Sequence, residues 1–231
     1  MISFVVPAYN EALRLAATLD AIHAAALAVG ADYEIVVADD ASTDTTAAVA
    51  SGHGARVVYV EHRQIARTRN AGARAARGER LFFVDADTQV NARVVRAALA
   101  ALDAGAVGGG ATPVFEPGAP RWTHPMMWLV TRTMRLAGLA AGCFVYARRD
   151  AFEAVGGFDE RHFAGEEVML SLALGRRGRF VILREPVTTS ARKFVARTPW
   201  QTLALALRIA FGGMRGVRRR EGTEFWYDGK R

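Results

Sequence analysis

The sequence predicts an α/β fold, a mostly parallel central sheet flanked by helices, with a helical tail at the end. Three observations lead there. Short apolar runs ending in polar residues recur through the first half, as buried strands do. Stretches with apolar residues every three or four positions lie between them, which is the period of a helix packed on a sheet. A chain of 231 residues, 51% hydrophobic and 23% charged, has the size and composition of one compact domain with a core.

The elements follow in order. Ile2, Ser3, Phe4, Val5 and Val6 form the first apolar run, stopped by Pro7. Asn10 is a residue type that caps helices, and Leu15, Leu19, Ile22 and Ala26 after it form one stripe. Tyr33 to Ala38 is a second run, stopped by Asp39 and Asp40, and completes a βαβ unit. Val57 to Val60 and Leu81 to Val84 repeat the pattern, with an Ala- and Arg-rich helix expected over residues 66–76. Strands alternating with helices imply a parallel sheet. A further helix starts near the cap Asn91 and carries Val95, Leu99 and Leu102 on one side.

The first half, residues 1–104, ends there. Gly108, Gly109, Gly110, Ala111, Thr112 and Pro113 open a stretch that holds four prolines by Pro125, so a loop or an edge strand is expected. Residues 105–198 form the second half. Residues 126–147 are apolar, but Arg132 and Arg135 lie near their middle. Each charge at a bilayer centre costs roughly 2.5–3.5 kcal/mol, so a buried helix followed by the strand Cys143 to Ala147 is the expectation.

Charge is unevenly spread. Basic and acidic residues balance over residues 1–191, whereas residues 192–231 hold ten of the 30 basic residues and only three acids. A neutral body with a basic tail does not describe a nucleic-acid groove. It suits an anionic membrane surface, a phosphate-bearing acceptor or simply a solvated helix end. In the tail Leu203, Leu207 and Phe211 make a one-sided stripe followed by Arg215, Arg218, Arg219 and Arg220, as in an interfacial helix with a basic flank. Cys143 is the only cysteine and no signal-peptide pattern precedes the first strand, so a cytoplasmic location is expected, with a peripheral contact at the inner membrane face.

Ligands bind beyond the carboxyl ends of strands in an open parallel sheet. Three strands here end in polar clusters: Pro7, Ala8, Tyr9, Asn10 and Glu11; Asp39 to Asp44; and Asp85, Ala86 and Asp87. In an extended backbone Asp85 and Asp87 would point to one side across a small residue. Paired carboxylate oxygens suit Mg²⁺ or Mn²⁺, and such an ion completes its shell with substrate phosphates and water. Helix capping is the competing explanation for some of the acids. No Gly-x-Gly-x-x-Gly follows the first strand and no Gly-x-x-x-x-Gly-Lys-Ser/Thr occurs, which disfavours a dehydrogenase and a phosphate-loop nucleotidase.

Six segments in order resemble glycosyltransferase family 2, of inverting nucleotide-sugar transferases with the Rossmann-like GT-A fold. They begin at Val5, Val37, Ala66 and Phe83, and close with Phe152 to Glu160 and Gly165 to Leu170. Each alone is weak, but the ordered set is specific. The resemblance assigns Pro7, Ala8, Tyr9, Glu11 and Asp39 to base and ribose contacts, places Arg69 near the diphosphate, and makes Asn70 a brace for its loop. It gives the metal, Mn²⁺ or Mg²⁺, to Asp87 with Asp85, the latter through water. The family's Glu-Asp pair reads Glu166-Glu167 here. Glu167 aligns with the base, and Glu166 stays open as the alternative. None of the five histidines (His23, His53, His62, His124 and His162) lies downstream of that pair, where some relatives carry a further ligand.

The implied reaction is transfer of a sugar from a UDP- or GDP-sugar to a hydroxyl of a glycan, a lipid-linked or a small-molecule acceptor. A sugar-phosphate nucleotidyltransferase and a catalytically silent nucleotide-sugar binder are the alternatives. Gly142, Cys143 and residues 105–135 would shape the acceptor side, where Trp122, Trp128 and Trp200 either stack on sugars or lie in the core.

Overall fold

A computed structural model of the chain describes residues 1–195 and Trp200. The first half runs β1 (Ile2–Ala8), α1 (Ala12–Ala28), β2 (Tyr33–Asp40), α2 (Thr46–Gly52), β3 (Arg56–Val60), α3 (Ile65–Ala75) and β4 (Arg80–Val84). Strands β1 to β4 are mutually parallel, with β1 between β2 and β4. Alternation explains their near-continuous apolar character. On β1, Phe4 and Val6 enter the core on the α1 side, whereas Val5 enters the core on the α3 side; on β4, Phe82 and Phe83 divide likewise. Both faces of the sheet are thus covered, as parallel sheets require.

The chain continues with β5 (Thr88–Gln89), α4 (Ala92–Asp103), β6 (Gly108–Phe115), α5 (Thr123–Leu136), β7 (Phe144–Arg148), α6 (Arg149–Ala154), α7 (Glu166–Gly175), β8 (Phe180–Thr189) and α8 (Arg192–Val195). One sheet contains all described strands in the order β3-β2-β1-β4-β7-β6-β8-β5. Strand β7 is antiparallel to both neighbours and β5 is antiparallel to β8, so the sheet is mostly parallel. Asn91 caps α4 as expected, accepting from the backbone N–H groups of Arg93 and Val94.

Four expectations need correction. The glycine-rich run is neither loop nor edge: β6 lies between β7 and β8. Its glycines let neighbours come close, since a Cβ at Gly110 would meet the Ala140 Cβ at 2.6 Å and one at Gly108 the Tyr146 carbonyl at 2.6 Å. Pro113 is tolerated just after a register shift between Gly110 and Thr112, where the ladder is already interrupted. Helix α5 is not buried; only Thr123 is, while Trp128 is 64% and Leu136 78% exposed. One face, with Thr123, Met127, Thr131 and Met134 at helical spacing, is partly covered, whereas Trp128, Leu129, Val130 and Leu136 are left to solvent. Asn10 does not cap α1, because its φ of 53° turns it toward the loop after β2. Asp85, Ala86 and Asp87 form a turn rather than an extended segment, closed by the Thr88 N–H donating to the Asp85 carbonyl at 3.0 Å. The stripe of Leu203, Leu207 and Phe211, with the arginines after it, lies outside the described residues.

Candidate active site

Two loops at the carboxyl ends of β1 and β2 are clasped together. The Asn10 side-chain oxygen accepts from the Thr43 and Asp44 N–H groups at 2.6 and 3.3 Å, and the Asn10 N–H donates to the Ser42 hydroxyl at 2.8 Å. The Glu11 N–H, exposed at the start of α1, donates to the Thr46 hydroxyl at 2.8 Å. One loop therefore caps the other's helix. Ala8 stands beside Asp39 in register, one residue beyond Pro7 opposite Ala38. The guanidinium of Arg63 lies 3.7 Å from the centre of the Tyr9 ring, a cation–π contact.

The two aspartates closing β2 divide sharply. Asp40 accepts from the N–H groups of His62, Arg63 and Gln64 and from the Thr68 hydroxyl at 2.6–3.2 Å, so it ties the loop that leads into α3 to that helix and does not cap α2. Asp39 is buried and accepts from the Ser42 N–H at 3.2 Å. Holding that loop accounts for Asp40, and Asp39 stands at the end of β2 beside Ala8 of β1.

Arg69, on α3, is the centre of the site and is 1% exposed. Its guanidinium donates to Asp85 at 2.6 Å, to Glu166 at 2.8 Å and to the Gly142 carbonyl at 2.7 Å. A single cation thus joins the turn after β4, the start of α7 and the loop before β7. These three partners enclose the guanidinium that the resemblance places near the diphosphate. Asn70 beside it does brace a loop: its amide exchanges hydrogen bonds of 2.9 Å with the Phe158 backbone in both directions.

Glu166 and Glu167 open α7 after Gly165, whose φ of 73° sets the turn. Glu166 is buried against Arg69. Glu167 is half-buried, and a Cβ at Gly142 would stand 3.3 Å from its carboxyl carbon. Burial pushes the Glu167 carboxyl up to about 8, the Glu166 carboxylate adds to this, and Arg69 opposes it. One guanidinium facing the carboxyls of Asp85, Glu166 and Glu167 cannot balance them all, which favours the protonated form of Glu167. The Cys143 thiol is also pushed up, by burial and then by Asp85 and Asp87.

Asp87 is only 12% exposed and faces Arg192 at 3.3 Å. The same guanidinium grips both oxygens of Glu11, one at 2.8 Å and the other closer. Arg192 was not legible as a site residue: it is 181 positions from Glu11 and counts, in the sequence, only as the first basic residue of the tail. Among the described residues no three His, Cys, Asp or Glu side chains converge as a ready metal cage. Asp85 and Asp87 nevertheless supply hard oxygen donors in an acid-rich pocket, which fits Mg²⁺ or Mn²⁺ bound by one or two carboxylates together with phosphates.

A family model described as "Glycosyl transferase family 2" matches residues 3–156. An uncharacterized glycosyltransferase of Mycobacterium tuberculosis (strain H37Rv) is 34% identical over 167 residues, covering 69% of this chain and 73% of that protein. A validoxylamine A glucosyltransferase of Streptomyces hygroscopicus subsp. jinggangensis is 36% identical over 107 residues, 44% of this chain. The match spans only 25% of that larger relative. Among solved structures, a mannosyltransferase from Pyrobaculum calidifontis, in complex with GDP-Man and Mn²⁺, superposes with a TM-score of 0.67 at 22% identity, covering 90% of this chain and 64% of that one.

Proposed function

The chain belongs to glycosyl transferase family 2, and from that premise we propose that it transfers a sugar from a UDP- or GDP-sugar to an acceptor hydroxyl, with inversion and with the aid of Mn²⁺ or Mg²⁺. The observation that carries this reading is Arg69, which ties Asp85 of the acidic turn to Glu166 of the acid pair. A donor-side group and an acceptor-side group are thereby fixed to one cation.

In this reading residues 1–104 hold the donor. Pro7, Ala8, Tyr9, Glu11 and Asp39 contact base and ribose, and a carboxylate suits a base N–H. Asp87, with Asp85, would hold the divalent ion, whose chemistry is to offset the charge of the departing nucleoside diphosphate. Arg69 acts through Asp85 and Glu166 and is a positioning residue. Residues 105–198 form the acceptor half. There Glu167, once deprotonated, takes the hydrogen of the acceptor hydroxyl as its oxygen attacks the sugar from the face opposite the diphosphate. Glu166 is held to Arg69 and orients that neighbour.

A panel of UDP- and GDP-sugars assayed for hydrolysis or transfer, each with Mn²⁺, with Mg²⁺ and with chelator, tests the reading. Release of nucleoside diphosphate only with metal is expected. Pyrophosphate released from a nucleoside triphosphate would support a nucleotidyltransferase instead, and nucleotide-sugar binding without any turnover would support a silent binder.

We also propose that the acceptor half meets an anionic membrane surface peripherally, with the basic residues 199–231 contributing, at the cytoplasmic face. Helix α5 supports this. It exposes Trp128, Leu129, Val130 and Leu136, and residues 117–149 contain no Asp or Glu. No helix of the described residues is long and apolar enough to cross a membrane, and the contact proposed is an interfacial one.

A further inference from the structure

We infer that Arg192 is a built-in counter-cation for the acidic donor site, held on Glu11 and Asp87 while the site has no donor, and that it couples entry of the divalent ion to entry of the nucleotide. The inference rests on the donor reading above. Glu11 and Asp87 follow two neighbouring strands, at the end of β1 and after β4, and are 14% and 12% exposed. Carboxylates buried to that degree need a positive partner. Arg192 supplies one charge to both, bidentate on Glu11 and at 3.3 Å from Asp87.

The backbone holds Arg192 at this place independently of its side chain. The Ser190 N–H donates to the Asp87 carbonyl at 3.2 Å, and the Ser190 hydroxyl donates to Glu116 at 3.0 Å. Glu116 is itself fixed by Arg14 at 3.1 Å. The Arg192 N–H donates in turn to the Ser190 hydroxyl at 3.1 Å. Arg192 is 30% exposed on its side chain, so the guanidinium has room to turn without unfolding the segment.

Two consequences follow from charge alone. A divalent ion arriving by itself must share Asp87 with a guanidinium, and the like charges repel. A diphosphate arriving with the ion offers the guanidinium oxygens that its planar fork fits. Arg192 then turns from Asp87 to the phosphates, and the ion takes its place on the carboxylate. Arg192 therefore weakens binding of the metal alone and strengthens binding of metal and nucleotide together, a coupling that must be reciprocal.

The test measures Mn²⁺ binding by the loss of the free-ion electron paramagnetic resonance signal, and UDP and GDP binding by calorimetry, on the whole chain. In the wild type, Mn²⁺ alone should bind weakly and gain affinity with UDP or GDP. In Arg192→Gln, Mn²⁺ alone should bind about tenfold tighter, while the gain from nucleotide shrinks by a similar factor. Arg192→Lys, whose ammonium cannot span both carboxylates, gives a smaller change in the same direction and serves if the glutamine variant fails to fold. Folded variants that bind Mn²⁺ alone no better than wild type overturn the inference. Absence of UDP and GDP binding to the wild type with or without Mn²⁺ overturns the donor reading instead, and leaves the metal-alone comparison interpretable.

Discussion

Arg69 and Asp85 form an ion pair of 2.6 Å in which the arginine side chain is 1% exposed and the aspartate side chain 26%. The pair is half of a bridge completed by Glu166 at 2.8 Å, so the cation is both a fold element and a part of the site. Arg69→Met should destabilise the protein by about 3–5 kcal/mol, because Asp85 and Glu166 would lose the counter-charge they share. Chemical denaturation at neutral pH measures it. Arg69→Lys, which keeps a charge, should recover part of the loss; no recovery would point to packing alone.

Gly110 lies against Ala140 in the middle of the sheet. Gly110→Val should cost about 1–3 kcal/mol through overpacking, or prevent folding, while Gly52→Ala, with open space around it and no positive φ, should cost less. Comparing denaturation midpoints checks the order. Equal costs would mean that β6 shifts freely, against its interior position.

The parallel half of the fold was legible because its signal is local. Phe4, Val6, Phe82 and Val84 are apolar runs whichever partner they meet, and the polar residues that stop them mark the site. Asn91 was legible as a cap because capping involves its own next few residues. What escaped depends on distant partners. Nothing near Gly110 says that Ala140 needs its space, nothing near Asn10 says that Thr43 will take its side chain, and Arg192 meets Glu11 across 181 positions of chain. The exposure of α5 escaped for the opposite reason, since an apolar composition alone does not say whether anything covers it.

Asp87 and Asp39 should fail differently. Asp87→Ala is expected to abolish the extra stabilisation that Mn²⁺ adds to UDP or GDP, and transfer with it, whereas Asp39→Ala should weaken nucleotide binding with or without metal. Thermal melting reads both, since a ligand at a hundredfold excess over its Kd adds about 2.7 kcal/mol. Two variants with the same profile would defeat this division of roles.

For α5, Trp128→Asp should lower sedimentation with anionic vesicles by roughly three- to tenfold and leave the melting temperature nearly unchanged, because Trp128 is 64% exposed. Binding should also fall with salt and be weak on zwitterionic vesicles. Wild-type protein that ignores anionic vesicles would leave α5 to a protein partner or to the rest of this chain.

Glu167 connects stability to catalysis with a definite sign. Its carboxyl is raised from an ordinary 4.5 to about 8 in the folded protein, first by burial and then by Glu166. A raised carboxyl favours the fold while it is protonated, fully so below its unfolded value, and that stability is lost as pH rises through the folded value. Glu167→Gln should therefore be more stable than wild type at pH 9, by about 1 kcal/mol or more, with the difference closing near pH 5. Activity should run the other way. Wild-type turnover rises with pH as Glu167 becomes able to accept the acceptor's proton, whereas Glu167→Gln should lose about 10²–10⁴-fold in turnover and that pH dependence, with donor affinity kept. Glu166→Gln should cost less turnover but disturb Arg69. Titrating turnover and denaturation midpoint against pH for both variants, with an identified acceptor, decides the matter. If Glu166→Gln abolishes turnover while Glu167→Gln stays active, the base is Glu166.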